Sequence, residues 1–242
     1  MIEQKLILSH LYPQLMNSYA DRGNLLIIRR RLQAVGYKVE IQAVHAISAL
    51  DLTAADFLFM GGGSGNAPRQ MVADLQSRSL EIKDAVSAGL PALFISEAYL
   101  ALGSSHVEPE TLLLKWFSFH VRRLPQRQAG NMILQTSAPL PPGIIAGFIN
   151  RTYELENYDT DLRTLGRVEK ADSGVNGQSE GHWYKRWIGT QLHGPVLAKS
   201  MALNEYICQN ILDYRNLGKL PSAYDYQWAA YAQAQAAAGV KA

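Results

Sequence analysis

The sequence predicts an α/β fold with a mostly parallel sheet flanked by helices, followed by an antiparallel extension. Short apolar runs that suit buried strands alternate with helical patterns through the first hundred residues. Two of these runs lead directly into a glycine-rich loop or a helix, as strands of parallel sheets do. Beyond Gly103 the apolar residues instead alternate with polar ones, which is typical of antiparallel strands with one solvated face.

The parallel half is predicted from four apolar segments and the helical patterns between them. Strands are expected at residues 5–12, 39–44, 55–60 and 91–95. Leu25, Ile28 and Leu32 recur at helical spacing after a loop at Pro13, and Gly36 ends that helix. A second helix is expected over roughly residues 67–89. The strand spacing suits crossover helices in a parallel sheet.

The second half predicts strands at 117–121 and 131–136, another that opens at Gly147, and a late strand at 187–193 that delivers His193. A helix is expected over 202–212, and the alanine-rich stretch 229–238 is compatible with a terminal helix. Residues 153–181 hold too few apolar side chains for an assignment. We expect residues 1–242 to form one domain, since this length suits a single large core.

Composition excludes several classes of function. The 242 residues are 48% hydrophobic and 18% charged, and 23 basic residues face 21 acidic ones, so nothing in the net charge favours nucleic acid. The run Arg29-Arg30-Arg31 is interpreted as a solvated helix face. Cys208, the one cysteine, is interpreted as a small buried hydrophobe in a reducing compartment. The apolar stretches are too short for a membrane span, and we expect a cytoplasmic protein without a cofactor.

The strand at 91–95 runs straight into a helix at Ser96-Glu97, which can hold residue 96 in a tight turn near helix amides. Such a turn exposes a nucleophile in serine hydrolases, but there it reads Gly-x-Ser-x-Gly, and both glycines are absent here. Since serine is a preferred N-cap residue, Ser96 could equally serve only to cap the helix. The elbow alone leaves both interpretations open.

Two further features could carry chemistry. Gly61-Gly62-Gly63 follows a strand and could let backbone amides approach a substrate oxygen, or could simply permit a turn. No Walker signature follows, so phosphate binding is not favoured. His193 could be a general base or an ordinary core histidine, and no metal-ligand spacing accompanies it.

Several segments, taken in order, resemble the cobyric-acid-synthase-like branch of the class I glutamine amidotransferases, and within it most closely the glutaminase subunits of lipid II isoglutaminyl synthases. The N-terminal segment Leu11-Tyr12-Pro13-Gln14-Leu15-Met16-Asn17-Ser18-Tyr19-Ala20-Asp21-Arg22-Gly23-Asn24 is the most specific match. The glycine loop, the strand before Ser96, and the blocks Glu180-Gly181-His182-Trp183-Tyr184-Lys185 and Gly189-Thr190-Gln191-Leu192-His193-Gly194-Pro195-Val196-Leu197 also match.

This resemblance implies a flavodoxin-like fold and a glutaminase site. In such enzymes a cysteine thiolate attacks the side-chain amide of glutamine, and the released ammonia passes to an ATP-dependent, Mur-ligase-like synthetase that amidates lipid II for peptidoglycan synthesis. Carried over by position, Ser96 stands at the nucleophile and His193 at the base. Gly62 and Gly63 stand at the oxyanion loop, and Arg127 near a contact with the substrate carboxylate. A heterodimer with the synthetase is implied.

The chain departs from the family pattern at the elbow. Where the family reads Cys-Gly-Gly-Tyr-Gln, this chain reads Ser96-Glu97-Ala98-Tyr99-Leu100, so the thiol and both glycines are lost together. Glu97 would also place a carboxylate beside an amide that should stabilise negative charge. Pro195 stands two residues after His193, where many class I enzymes carry an orienting carboxylate.

Three hypotheses follow. The chain is a subunit of this kind with weak or lost glutaminase activity, or a binding or regulatory pseudoenzyme, or, ranked last, a serine amidase or peptidase that needs a buried carboxylate facing His193. The geometry at Ser96 separates them. A serine oxygen within reach of His193 and facing free amides would keep catalysis possible, whereas Glu97 in that space would oppose it.

Overall fold

The computed structural model describes residues 4–106, 113–138, 140–157, 159–221 and 227–240. The strands are β1 (Lys5–Leu11), β2 (Lys38–Val44), β3 (Phe57–Met60), β4 (Ala92–Ile95), β5 (Ser105–His106), β6 (Phe119–Thr136), β7 (Ile144–Asn157), β8 (Arg163–Ala171), β9 (Ser179–Tyr184) and β10 (Trp187–Thr190). The α-helices are α1 (Gly23–Gln33), α2 (Ala67–Leu75), α3 (Ser79–Ala88), α4 (Glu97–Leu100), α5 (Met201–Tyr214) and α6 (Gln227–Ala238).

The described strands form one mixed sheet in the order β2-β1-β3-β4-β10-β9-β8-β6-β5, with β7 paired to β6. The first five strands of that order are parallel to one another. β9, β8 and β6 follow in antiparallel pairings. This confirms the expected α/β class, a parallel sheet with an antiparallel extension. The carboxyl ends of β3, β4 and β10 meet at one edge, where ligands bind in open α/β sheets.

Strands β3, β4 and β10 are buried along their whole length, and the sequences of β3 and β4 are accordingly apolar throughout. Alternate side chains enter two apolar clusters. Phe94 and Trp187 lie in one cluster with Met71, while Leu93 and Ile188 lie in the other with Leu25. The sheet therefore fixes the ends of these strands between two packed layers, which makes a rigid base for a site.

The antiparallel half differs from the expected strand count. The segments 117–121 and 131–136 were predicted as separate strands. From Phe119 onward they belong to the single strand β6, which pairs with β7 on both sides of a register shift between Arg123 and Gln128. Pro125 lies in that irregular stretch, where a proline is tolerated because the ladder is interrupted. The unassigned region 153–181 contains the end of β7, all of β8 and the start of β9.

The helix predicted over 67–89 is interrupted. A 3₁₀ turn at Gln76–Arg78 separates α2 from α3, and Arg78 has non-helical backbone angles. The Arg78 guanidinium donates to the carbonyls of Ile47 and Leu50 at 2.9 and 2.6 Å, which holds the break against the preceding loop. Hydrophobic periodicity continues through the turn, so the sequence alone suggested one helix.

The interpretation of Arg29-Arg30-Arg31 as a solvated face is wrong for Arg31. Its side chain is 1% exposed and pairs with Glu205 of α5, with Nη2 donating to Oε2 at 3.0 Å. It thus joins α1 to α5 through a hydrogen-bonded ion pair. Cys208 is buried and free, as expected. Within the described residues, no helix is long and apolar enough to cross a membrane.

Candidate active site

Ser96 occupies a sharp turn between β4 and α4. Its backbone has φ 54° and ψ −116°, a combination that costs a non-glycine residue on the order of 1–3 kcal/mol. The turn is held from both sides, because the Ser96 amide donates to the Thr190 carbonyl at 2.8 Å and the Ser96 carbonyl accepts from the Leu100 amide at 2.8 Å. The side chain makes no capping bond to the helix. Ser96 therefore sits in a strained elbow and not in an ordinary N-cap.

The predicted strand 187–193 ends early: β10 stops at Thr190, and His193 lies three residues beyond it. Its backbone exchanges two hydrogen bonds with Phe148 of β7, at 2.8 and 3.1 Å. The imidazole is 1% exposed, and its Nδ1 lies 3.0 Å from Oδ2 of Asp21, which is fully buried. A buried carboxylate bonded to Nδ1 fixes the orientation and tautomer of a histidine in the way a catalytic triad does.

Asp21 comes from the N-terminal segment and was missed as a site residue. That segment packs directly against the block containing His193. The Asn24 side chain accepts from the Leu197 amide at 3.0 Å, and a Cβ built on Gly23 would lie 2.2 Å from Pro195 Cγ. Asp21 belongs to the N-terminal motif 11–24, so the sequence did contain a signal for it. Nothing in the sequence showed that this motif contacts the block 189–197 that contains His193. Asp21 supplies the carboxylate that Pro195 cannot.

Gly62 lies where the site side chains converge. A Cβ built on Gly62 would lie 2.6 Å from His193 Cε1, 3.0 Å from Glu97 Oε2 and 3.2 Å from Ser96 Cβ. The Gly62 amide donates to Asp21 Oδ2 at 2.9 Å. The structure therefore brings together Ser96, His193 and the glycine loop, and the Gly62 amide serves to hold Asp21.

The Glu97 carboxylate fills the position next to the elbow. Its Oε2 accepts from the Gly63 amide at 3.0 Å, and the carboxylate also accepts from its own backbone amide and from the Ser96 hydroxyl. The amide after a nucleophile and an amide from a neighbouring loop are the two donors that form an oxyanion hole in α/β hydrolases. Both corresponding donors here are bound to Glu97.

Burial raises the pKa of Glu97, while the hydrogen bonds from its own amide and the Gly63 amide, together with the charge of His193, oppose that rise. The hydroxyl of Ser96 bonds to Glu97, and the bond described for the His193 imidazole goes to Asp21. A nucleophile needs its proton directed toward the base. The arrangement thus keeps the elbow and an oriented histidine but directs the serine proton to a carboxylate.

A buried polar group on the antiparallel side supports the turn before His193. Glu180 accepts from the Thr190 hydroxyl at 2.8 Å and from the Gln191 amide at 2.7 Å. Burial raises the pKa of Glu180. Tyr99 bonds to His182, whose pKa burial lowers to about 4, so this imidazole is neutral near pH 7. The hydrogen bonds of Glu180 therefore hold the backbone at Thr190 and Gln191, directly before His193.

A cavity of about 790 Å³ opens beside the elbow. Glu97 and Gly63 line it together with the aromatic residues Tyr19 and Tyr153. Tyr19 also contacts the His193 ring, with 4.8 Å between centroids. The cavity is large enough for a small organic ligand, since such sites span about 300–1,000 Å³. A ligand in this cavity would lie against Glu97.

Arg127 lies apart from this cavity. Its side chain is exposed and lines a separate cleft of about 400 Å³ on the β6 side. Its Nε donates to the Asn150 side chain, which also bonds to the Tyr19 hydroxyl. Arg127 is thus linked to the cavity wall through Asn150. Within the described residues, no group of three or more His, Cys, Asp or Glu side chains gathers as a metal site.

Comparison with known proteins finds a family model that matches most of the chain. Residues 7–201 match the family model described as the CobB/CobQ-like glutamine amidotransferase domain. The chain is similar to the GatD subunit of lipid II isoglutaminyl synthase (glutamine-hydrolyzing) from Staphylococcus aureus (strain N315), with 26% identity over 91% of this chain and 90% of the relative. The GatD subunit from Streptococcus pneumoniae (strain ATCC BAA-255 / R6) is 25% identical, with 82% and 77% covered.

Solved structures agree on the fold. A glutamine amidotransferase superposes with a TM-score of 0.59 and 15% identity, covering 86% of this chain and 98% of that one. A second, from Thermotoga maritima, gives a TM-score of 0.53 and 14% identity over 98% of this chain and 94% of the other. At these identities the likeness concerns the fold, and it confirms the class I glutamine-amidotransferase architecture expected from sequence.

Proposed function

The chain belongs to the CobB/CobQ-like glutamine amidotransferase family, and we propose that it is the glutaminase-type subunit of a complex that amidates lipid II, with its own glutamine hydrolysis weak or lost. Two relatives that match most of the chain are named as the GatD subunits of such a synthase. This likeness supports a heterodimer in which an ATP-dependent, Mur-ligase-like synthetase performs the amidation. The single observation that carries the loss of activity is the position of the Glu97 carboxylate.

Glutamine hydrolysis develops negative charge on the amide oxygen as the nucleophile attacks. Backbone amides aimed at that oxygen stabilise the charge, and removing one such donor costs roughly 10²–10³ in kcat. In this chain the donors from Gly63 and Glu97 are bound to a carboxylate. An anionic intermediate would have to displace that carboxylate or share the space with it. At a separation of about 4 Å, two unit charges repel by about 4 kcal/mol at an effective dielectric near 20.

The nucleophile is weakened as well. A serine hydroxyl must lose its proton to an oriented base, whereas a cysteine near pKa 8.5 ionises far more readily. His193 is oriented by Asp21, but the Ser96 hydroxyl is hydrogen-bonded to Glu97. We therefore propose that Ser96 and His193 keep the positions of a catalytic pair without its chemistry. The assignment of Arg127 to a substrate carboxylate stays a prediction.

The test is the nitrogen source that the complex uses. We would purify the chain with the synthetase that co-purifies with it and follow ATP-dependent amidation of lipid II with either glutamine or ammonium chloride. We expect amidation with ammonium and none above background with glutamine. Glutamine-dependent amidation that is lost in a Ser96→Ala complex would overturn the proposal of lost activity.

One observation favours a second candidate function. A serine amidase or peptidase needs a buried carboxylate facing its histidine, and Asp21 meets that requirement at 3.0 Å from His193 Nδ1. The Glu97 carboxylate opposes this function, because it binds the Ser96 hydroxyl and both backbone amides. Labelling of Ser96 by a serine-reactive phosphonate would favour this second function, whereas its absence would leave the subunit role in place.

A further inference from the structure

The cavity beside the elbow has a negatively charged floor. The charged side chains among the described residues that line it are Glu97 and Arg69, and the other described lining residues are neutral. Glu97 stands where a glutaminase presents amide donors to the carbonyl of its substrate. A ligand oxygen at this position would face a carboxylate oxygen. The floor therefore selects against a carbonyl and for a group that only donates hydrogen bonds.

The Glu97 carboxylate also keeps room for one more donor. An ionised carboxylate has about four acceptor positions. Three are taken by the Gly63 amide, the Glu97 amide and the Ser96 hydroxyl. These three donors are neutral, so within this set of contacts only the nearby charge of His193 acts against the negative charge of Glu97. An ammonium group has three donors, no acceptor and a positive charge, and so complements the floor better than a neutral amide does.

Arg69 offers the opposite charge on the wall of the same cavity. It lies in the first turn of α2 and its side chain is exposed. A guanidinium binds a carboxylate with paired, charge-assisted hydrogen bonds. The cavity of about 790 Å³ thus carries one acidic and one basic group along its described lining. Such a site fits a zwitterionic amino acid with an additional ammonium group at the end of its side chain.

We propose that this cavity binds a small diamino acid, with the side-chain ammonium on Glu97 and the carboxylate toward Arg69. The proposal rests on the proposed function, because a working glutaminase must leave the amides of Gly63 and Glu97 free for its substrate. On this proposal, glutamate in place of glycine at position 97 has two effects. It opposes the hydrolysis of glutamine, and it creates a binding site for a diamino acid.

The test is isothermal titration calorimetry of the full chain at pH 8 with three amino acids of similar length. L-Ornithine has a terminal ammonium, L-glutamine a terminal amide and L-norvaline no polar terminus. We expect saturable binding of ornithine, with glutamine and norvaline at least tenfold weaker. Absence of ornithine binding, or equal binding of norvaline, overturns the proposal whatever the variants below show.

Two matched variants locate the ammonium. Glu97→Gln keeps the size of the side chain and removes its charge, and it should weaken ornithine binding at least tenfold. Glu169→Gln is the control, since Glu169 is exposed on β8 and does not line the cavity. Unchanged ornithine affinity in Glu97→Gln would contradict the assignment.

Ammonia release from glutamine, measured on the same preparation, separates the two proposals. Glutamine turnover by the unmodified chain would refute the loss of glutaminase activity and with it the reason for a new ligand. No turnover together with no ornithine binding would refute only the ligand. No turnover with ornithine binding that depends on Glu97 supports both.

Discussion

Ser96 and Glu97 are adjacent in sequence and have opposite consequences for the site. Ser96 keeps a backbone conformation that is costly for any residue with a side chain, so the elbow survives the loss of its glycines. Glu97 directs its carboxylate onto its own amide in the elbow and onto the Gly63 amide of the glycine loop. The conflict between Glu97 and an oxyanion follows from residue type and position, so the sequence predicts it. The sequence could not show where the carboxylate points, which depends on the glycine loop.

The pH dependence of stability tests the burial of Glu97. Burial raises its pKa, so the folded state binds this proton more tightly than the unfolded state does, and stability falls as the pH rises through the two pKa values. Glu97→Gln removes this loss. We expect urea unfolding to show that the variant gains stability relative to the unmodified chain between pH 4 and pH 7.

Glu169→Gln, at an exposed position on β8, is the control and should show no comparable gain. The free energy of unfolding of Glu97→Gln minus that of the unmodified chain should rise with pH. A difference that stays constant or falls would contradict the burial of Glu97.

At the scale of elements, the site is assembled from loops that follow strands of the parallel sheet. The sequence predicted β1, β3 and β4 closely, because each is a short apolar run with a clear end. It failed at β6, where two strands were predicted but one strand continues through an irregularity between Arg123 and Gln128. It also missed the contact between Asp21 and His193, 172 residues apart, since periodicity carries no information about distant pairs.

The close packing around Gly62 predicts that adding one methyl group there lowers the stability of the protein. Gly62→Ala would place a Cβ 2.6 Å from His193 Cε1 and 3.0 Å from Glu97 Oε2, so the loop must shift. We expect a loss of about 1–3 kcal/mol in the free energy of unfolding, measured with urea.

Gly143→Ala is the matched control for that substitution. Its Cβ would meet Ala202 Cβ at an ordinary 3.5 Å, and its effect should stay within about 0.5 kcal/mol. Equal stabilities of the two variants would argue against the convergence of side chains around Gly62.

At the scale of the whole molecule, the parallel sheet and the antiparallel extension are joined through β10 and β9. That residues 1–242 form one domain stays a prediction. The similarity to two GatD subunits extends over 91% and 82% of the chain. The fold and the family follow from motifs that the sequence displays in order. No sequence motif gives the position of the Glu97 carboxylate, on which the proposed loss of glutamine hydrolysis depends.

The most direct measurement is ammonia release from glutamine by the purified chain, alongside Ser96→Cys and the double variant Ser96→Cys/Glu97→Gly. We expect no release above a His193→Ala control for the unmodified chain or for Ser96→Cys, because Glu97 still holds both amides. The double variant restores the thiol and frees the amides, and should release ammonia. Turnover by the unmodified chain that Ser96→Ala abolishes would contradict the account.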